Sequence, residues 1–75
     1  MTEPAMEILA SEVKTGEGRY PSQIVLRQVN PHTFATHIKV LPPGREPFFI
    51  LGHYFTKREQ AEADFRQRIK ELAGP

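Results

Sequence analysis

The apolar residues near the C-terminus recur with helical spacing. They are Ala61, Phe65, Ile69 and Leu72. Spacings of four, four and three residues place them on one face of an α-helix. Thr56 and Glu59 have the spacing of a capping box, in which each residue satisfies an otherwise free backbone amide at the helix start. Gly74 and Pro75 are a stop signal, so the pattern predicts one amphipathic C-terminal helix.

In the middle of the chain the apolar pattern has a period of two and is rich in branched and aromatic residues. It predicts three strands, at residues 22–29, 33–41 and 47–55. The links between them, Asn30–His32 and Pro42–Glu46, contain turn-forming residues and are short. Short links join antiparallel neighbours, because a parallel pair needs a long crossover. The expected fold is therefore α+β, a three-stranded antiparallel meander followed by a helix packed on one face (β-β-β-α).

The first nineteen residues are expected to form an N-terminal segment and flexible connector, ahead of a β-β-β-α core over residues 20–75. Pro4 suits a first helical turn, and apolar residues at helical spacing follow it, so residues 4–14 are predicted to be a short helix or else an irregular segment. The alternative is that Met6–Leu9 is the end of a strand. Thr15–Gly18 reads as the connector, and the whole chain is expected to be a single domain.

Alternation sorts the strand residues into two predicted faces. The even-numbered face, expected to receive the helix, carries Ile24, Leu26, Phe34, Ile38, Val40, Phe48, Ile50 and Tyr54. The odd-numbered face mixes basic and apolar residues: Val25, Arg27, Val29, Ala35, His37, Lys39, Leu41, Phe49, Leu51, His53 and Phe55. One helix covers only one face of such a sheet, so the odd face needs another cover.

The third predicted strand, Phe48–Phe55, is apolar on both faces and ends the meander, where a free strand edge invites pairing. Its cover is expected to be a second copy of the chain or the N-terminal segment folding back through Met6, Leu9 and Val13. We therefore expect a non-enzymatic protein-interaction module that forms a homodimer through this strand or the odd face. The expected interface residues are Phe49, Leu51, His53, Phe55, Val25 and Val29.

Charge is unevenly distributed along the chain although the net charge is only +1. Residues 1–18 carry four acids and one lysine, whereas residues 19–58 carry six basic residues and one acid. This basic middle, with an aromatic on its face, makes nucleic-acid binding the alternative function, and an acidic protein a further possible partner. The residues expected to carry nucleic-acid binding are Arg27, Lys39, Arg45, Lys57, Arg58 and Phe49.

Catalytic and metal chemistry have little support in the sequence. The chain has no cysteine, which removes thiolate ligands, disulfides and a cysteine nucleophile. His37 and His53 share the predicted odd face and could hold a metal between adjacent strands, but two imidazoles fall short of a lasting site, so structural histidines are expected. No acid occurs in residues 19–45 to orient a histidine there. We expect no enzyme activity, no metal and no cofactor.

Chain length and terminal composition bear on partners and location. A chain of 75 residues buries only about 60% of its unfolded surface, so oligomerisation is an expected source of stability. No run approaches the ~20 apolar residues of a membrane span, and Met1–Pro4 lacks the start of a signal peptide. These features predict a soluble cytoplasmic protein that does not bind membranes.

Overall fold

A computed structural model describes residues 6–16 and 18–73 of the chain. Within those residues the elements are β1 (Met6–Ala10), β2 (Lys14–Gly16), β3 (Arg19–Asn30), β4 (Thr33–Val40), β5 (Phe48–Phe55) and α1 (Arg58–Ala73). The fold is α+β, with an antiparallel sheet and one C-terminal helix, as predicted. The sheet order is β1-β3-β4-β5, with β2 also paired to β3, so it has five strands rather than the predicted three.

The N-terminal segment accounts for the two extra strands. The prediction of a helix over residues 4–14 is wrong for the described part, because residues 6–10 form β1; residues 4 and 5 lie outside the described residues. β4 pairs with one side of β3 and leaves the other side of β3 open. β1 and β2 pair antiparallel with that open side, which satisfies backbone groups that a free edge would expose.

The three strands predicted for the middle of the chain are present as β3, β4 and β5, and the two turns follow from local chemistry. At the first, the Asn30 side-chain oxygen accepts a hydrogen bond from the His32 backbone amide at 2.9 Å. At the second, the Arg45 amide donates to the Pro42 carbonyl at 3.2 Å. Gly44 has φ 73°, the positive value that the third residue of a type II turn requires.

The core lies between the helix and the centre of the sheet, as the helical stripe predicts. Ile24 and Leu26 of β3 are buried against Ala61 and Phe65 of α1, and these four residues form one cluster. The partly buried side chains packed around it are Ile8, Phe34, Ile38, Phe55, Ile69 and Leu72. Fully burying one such side chain contributes about 1.5–3 kcal/mol.

The start of the helix differs slightly from the sequence prediction. The Ala61 amide donates to the Lys57 carbonyl at 3.2 Å, which makes Lys57 the N-cap and displaces the predicted Thr56 capping box by one residue. At sixteen residues and with charged residues in every turn, α1 does not meet the requirements for crossing a bilayer, and no other described segment is helical.

Candidate interaction surface on strand β5

A β-bulge divides β5 into two halves. Ile50 pairs with Ile38 and His53 pairs with Thr36, so His37 alone faces two residues, Leu51 and Gly52. Leu51 has φ 52°, a left-handed conformation that is uncommon for a residue other than glycine. The extra residue reverses the alternation of side chains for the rest of the strand.

The reversal makes part of the predicted face assignment wrong. His53 and Phe55, predicted on the odd face, lie on the helix side, where Phe55 packs against the core. Tyr54, predicted on the helix side, lies on the opposite face and contacts His37. A strict period of two holds only in an unbulged strand, so parity assigns Phe48–Ile50 correctly and fails beyond Leu51.

The face opposite the helix, called the open face, is covered by its own long side chains. The Arg27 guanidinium carbon lies 4.1 Å from the centre of the Phe49 ring, a cation–π contact. Lys39 Nζ lies 5.9 Å from the same ring centre and 3.0 Å from Glu7 Oε2, so this ion pair crosses β3 from β4 to β1. Val25 of β3 lies on this face and is fully buried without a second layer of structure.

His37 is buried at the centre of the open face, with 6% of its surface exposed. Its ring makes edge contacts with Phe49 and Tyr54, at 5.6 Å between ring centres in both cases. Its Nδ1 is buried without a hydrogen-bond partner among the described residues, and its Nε2 lies 3.4 Å from the Tyr54 hydroxyl. Burial lowers the pKa of His37 from its usual 6.5, and the nearby charges of Arg27, Arg68 and His53 lower it further.

On the helix side, a polar network joins α1 to β4 and β5. The Thr36 hydroxyl donates to Asp64 Oδ2 at 2.5 Å, and His53 Nδ1 lies 3.0 Å from the same oxygen. Arg68 Nη1 donates to the Thr36 carbonyl and hydroxyl oxygens at 3.2 and 3.1 Å. Burial alone raises the pKa of Asp64, but the bonds from Thr36 and His53 and the charges of His53 and Arg68 together hold it below its usual 3.8.

The two histidines considered for a metal lie on opposite faces. His37 is on the open face and His53 is bonded to Asp64 beneath the helix, because the bulge separates them. A shared site between these two imidazoles is therefore ruled out by the fold. Within residues 6–16 and 18–73, no cluster of three or more histidine, cysteine or acidic side chains is placed to hold a metal ion.

β5 is the outermost strand at one end of the sheet order, and its large apolar side chains are exposed. The exposed fractions are 46% for Phe48, 36% for Phe49, 40% for Ile50, 65% for Leu51 and 62% for Tyr54. The helix lies over the central strands and leaves Phe48 and Ile50 uncovered, whereas Phe49 and Tyr54 lie on the open face. Among the described residues, β5 therefore combines an unpaired strand edge with exposed apolar side chains on both faces.

The six residues predicted for the interface do not form one surface. Phe49 and Leu51 are exposed on β5, and Val29 is 40% exposed near the far end of β3. Val25 is fully buried, and Phe55 packs into the core. The sixth, His53, lies on the helix side with 51% of its side chain exposed. Of the six, only Phe49 and Leu51 are therefore neighbouring exposed apolar side chains on β5.

The residues predicted for nucleic-acid binding are also dispersed. Arg27 and Lys39 both lie near the Phe49 ring on the open face, where Lys39 is paired with Glu7. The other three are Arg45, in the second turn, and Lys57 and Arg58, at the start of the helix. Arg58 Nε is bonded to Glu62 Oε2 at 2.7 Å. Three of the five basic groups thus have partners within the chain.

Sequence reasoning missed the residues that join the helix to β4 and β5, which are Thr36, Asp64 and Arg68. Asp64 and Arg68 stand next to the apolar stripe. A polar side chain at that position can reach the sheet from the border of the buried helix face. The bulge had one visible signal, an isolated glycine within an apolar strand at Gly52.

Comparisons of the chain with protein families, curated proteins and solved structures found no match.

Proposed function

We propose that this protein is a non-enzymatic interaction module that self-associates through the outer edge of β5 and the side chains beside it. The observation that supports the proposal is the exposure of five large apolar side chains, Phe48 to Leu51 and Tyr54, on a strand at the end of the sheet. Exposed apolar surface next to free backbone groups favours the addition of a further strand. A second copy is a partner that supplies the same strand.

The bulge defines how much of β5 is available for pairing. Its left-handed residue, Leu51, bends the strand and interrupts the ladder, and bulges at sheet edges limit edge-to-edge association. Pairing between copies is therefore confined to Phe48–Ile50, before the bulge. The side chains of Phe49, Leu51 and Tyr54 supply the remaining contact area. A short ladder with apolar contacts fits a reversible dimer better than an extended polymer.

The alternative cover for this surface was the N-terminal segment. Its described part, residues 6–16, pairs with β3 and is separated from β5 by β3 and β4. Met6, Leu9 and Val13 are themselves 66%, 39% and 48% exposed. Those three side chains therefore leave β5 uncovered, which favours a second chain as its partner.

The proposal of a non-enzymatic role is supported by the way that the His53–Asp64 pair, the one histidine–carboxylate pair among the described residues, is used. The Thr36 hydroxyl, the nearest candidate nucleophile, is fully buried and donates its proton to Asp64 rather than to His53. A nucleophile has to donate to the base that activates it and reach the substrate. Thr36 and His53 of the sheet therefore use their bonds to Asp64 to hold the helix in place. Location in the cytoplasm remains a prediction.

The test is sedimentation equilibrium over a range of protein concentrations, with Leu51→Asn as the variant. Asparagine tolerates the left-handed conformation and removes an exposed apolar side chain. Since burying a leucine contributes about 1.5–3 kcal/mol, we expect the dimer to weaken at least about tenfold. The matched control is Met6→Gln, an exposed apolar residue at the other side of the sheet. A wild-type protein that stays monomeric at high concentration contradicts the proposal, as does equal weakening by both variants.

Nucleic-acid binding predicts an affinity for oligonucleotides that falls steeply with salt, because neutralised phosphates release counterions. Arg27, Lys39 and Arg58 already have partners within the chain, so we expect no such binding. Titration with single- and double-stranded oligonucleotides at low salt checks this expectation. Tight, salt-sensitive binding that Arg27→Gln abolishes would instead favour the nucleic-acid function.

A further inference from the structure

An open groove runs along the helix side of the sheet, between the second half of α1 and the strands that the helix leaves uncovered. One part has a volume of about 380 Å³ and contains the polar residues Arg19, His53, Arg68 and Glu71. The neighbouring part, about 390 Å³, contains Tyr20, Val40, Phe48 and Ile50. The two parts share Arg19, Ile38 and Leu72, so they form one continuous groove with a polar end and an apolar end.

Arg68 provides a buried positive charge at the polar end. Only 7% of its surface is exposed, and its Nη1 is held by the Thr36 carbonyl and hydroxyl. Within residues 6–16 and 18–73, no carboxylate oxygen lies within 4.0 Å of its guanidinium. Asp64 acts on this charge from beyond the Thr36 hydroxyl, which bonds to both side chains, but no described carboxylate contacts the guanidinium. A buried cation without a contacting counter-ion is costly. An arginine has five N–H donors, and the bonds to Thr36 use only Nη1.

Arg19 adds a further donor beside Arg68. His53 Nδ1 donates to Asp64 Oδ2, so in the neutral imidazole Nε2 is an acceptor and does not bind a carboxylate. Arg19 pairs with Gly16 in the β2–β3 ladder. A Cβ at Gly16 would lie 2.8 Å from Arg19 Nε, so a larger residue there would displace the Arg19 guanidinium. Glu71 is the one acid among the residues that line this end.

We infer that this groove binds a small amphipathic carboxylate, with the carboxylate at Arg68 and Arg19 and the hydrocarbon tail along Tyr20, Phe48 and Ile50. The planar fork of an arginine matches the two oxygens of a carboxylate, which makes this anion the best fit. A tail at the apolar end removes exposed aromatic and aliphatic surface from water. The volume of each part falls within the range typical of small-molecule sites.

This inference goes beyond self-association, although the two sites share the side chains of Phe48, Ile50 and Leu51. It does not require a dimer, because the carboxylate is held by Arg68 of α1 and Arg19 of β3. The probe is octanoate, titrated into the isotopically labelled protein while backbone amide shifts are recorded. We expect saturable shifts at the residues of both ends of the groove. Shortening the probe to hexanoate weakens binding by up to about fourfold for each methylene lost from the groove. Octan-1-ol, whose hydrocarbon tail is one methylene longer and which has no charge, binds more weakly than octanoate.

Two variants test the polar end without removing the buried Arg68. Arg19→Gln removes one donor from the exposed rim, and Gly16→Ala displaces the same guanidinium by steric contact. Each is expected to weaken octanoate binding severalfold while leaving the amide spectrum of the core unchanged. Arg66→Gln is the matched control, since it removes the same charge from an exposed position of α1 that does not line the groove. Equal binding of octanoate and octan-1-ol, or equal weakening by Arg19→Gln and Arg66→Gln, overturns the inference.

Discussion

Gly52 of β5 lies directly over the imidazole of His37 of β4. A Cβ built on Gly52 would stand 2.5 Å from His37 Nε2, closer than real Cβ atoms approach, and 3.1 Å from Tyr54 Cε2, which is a tight contact. The bulge brings these residues together, because it sets both Leu51 and Gly52 opposite the one histidine. The absence of a side chain at residue 52 is therefore what allows His37 to be buried within the sheet.

The Gly52→Ala variant is expected to be less stable than the wild type by about 1–3 kcal/mol, because the added methyl group overpacks the histidine site. Urea denaturation followed by circular dichroism measures the difference. In the His37→Ala background the same change should cost much less, since the atoms it collides with are gone. A full cost in both backgrounds would show that the glycine is needed for its backbone and not for His37.

His37 should make stability depend on pH. Its pKa in the folded protein is lowered below the usual 6.5, so the unfolded chain binds a proton more readily than the folded one. The contribution to stability is complete above pH 6.5 and is lost as the pH falls from there through the folded pKa. Urea midpoints measured across that window should fall with acidity in the wild type and fall less in His37→Gln. His32→Gln, in the exposed first turn, is the control and should keep the wild-type slope.

Asp64 should stabilise the junction between the helix and the sheet. Replacing it with asparagine removes the charge that Thr36 and His53 both contact, and a hydrogen bond to a charged group contributes about 1.5–3 kcal/mol. Because the pKa of Asp64 is lowered from 3.8, its contribution is present above pH 3.8 and is lost as the pH falls through the folded pKa. We expect Asp64→Asn to lower the urea midpoint clearly at neutral pH. Glu62→Gln, on the solvated side of the same helix, should change it little.

The contact between Arg27 and Phe49 should couple the two residues energetically. The guanidinium carbon stands 4.1 Å from the ring centre, and Arg27 Nε is buried with no hydrogen-bond partner among the described residues. A double-mutant cycle with Arg27→Met and Phe49→Leu is expected to give a coupling of about 0.5–2 kcal/mol. Additive effects of the two substitutions would mean that the residues are merely neighbours.

The local signals in the sequence were sufficient for the helix and for three strands. The stripe from Ala61 to Leu72 and the alternation around Ile24 and Leu26 each depend on residues close in the chain, and both appear in the core. The N-terminal segment was mispredicted because the spacing of Met6 and Leu9 suits a helix, whereas pairing with the distant β3 decides the outcome. Propensity is readily overridden by such tertiary pairing.

The composition of the candidate surface was predictable in part. Phe49 and Leu51 lie on an exposed edge strand as their position in the last predicted strand suggested. The sequence pattern did not place Val25 and Phe55 correctly. Val25 is fully buried between β1 and β4, with which it pairs. Phe55 is turned toward the helix side by the bulge. One inserted residue changes the face of every side chain after it.

The most direct test of self-association through β5 is amide hydrogen exchange measured residue by residue at low and at high protein concentration. The account predicts that amides of Phe48–Ile50 gain protection as the concentration rises, while those of Met6–Ala10 at the other side of the sheet do not change. Exchange rates in Phe48–Ile50 that are the same at every concentration, or a gain in protection confined to Met6–Ala10, would contradict it.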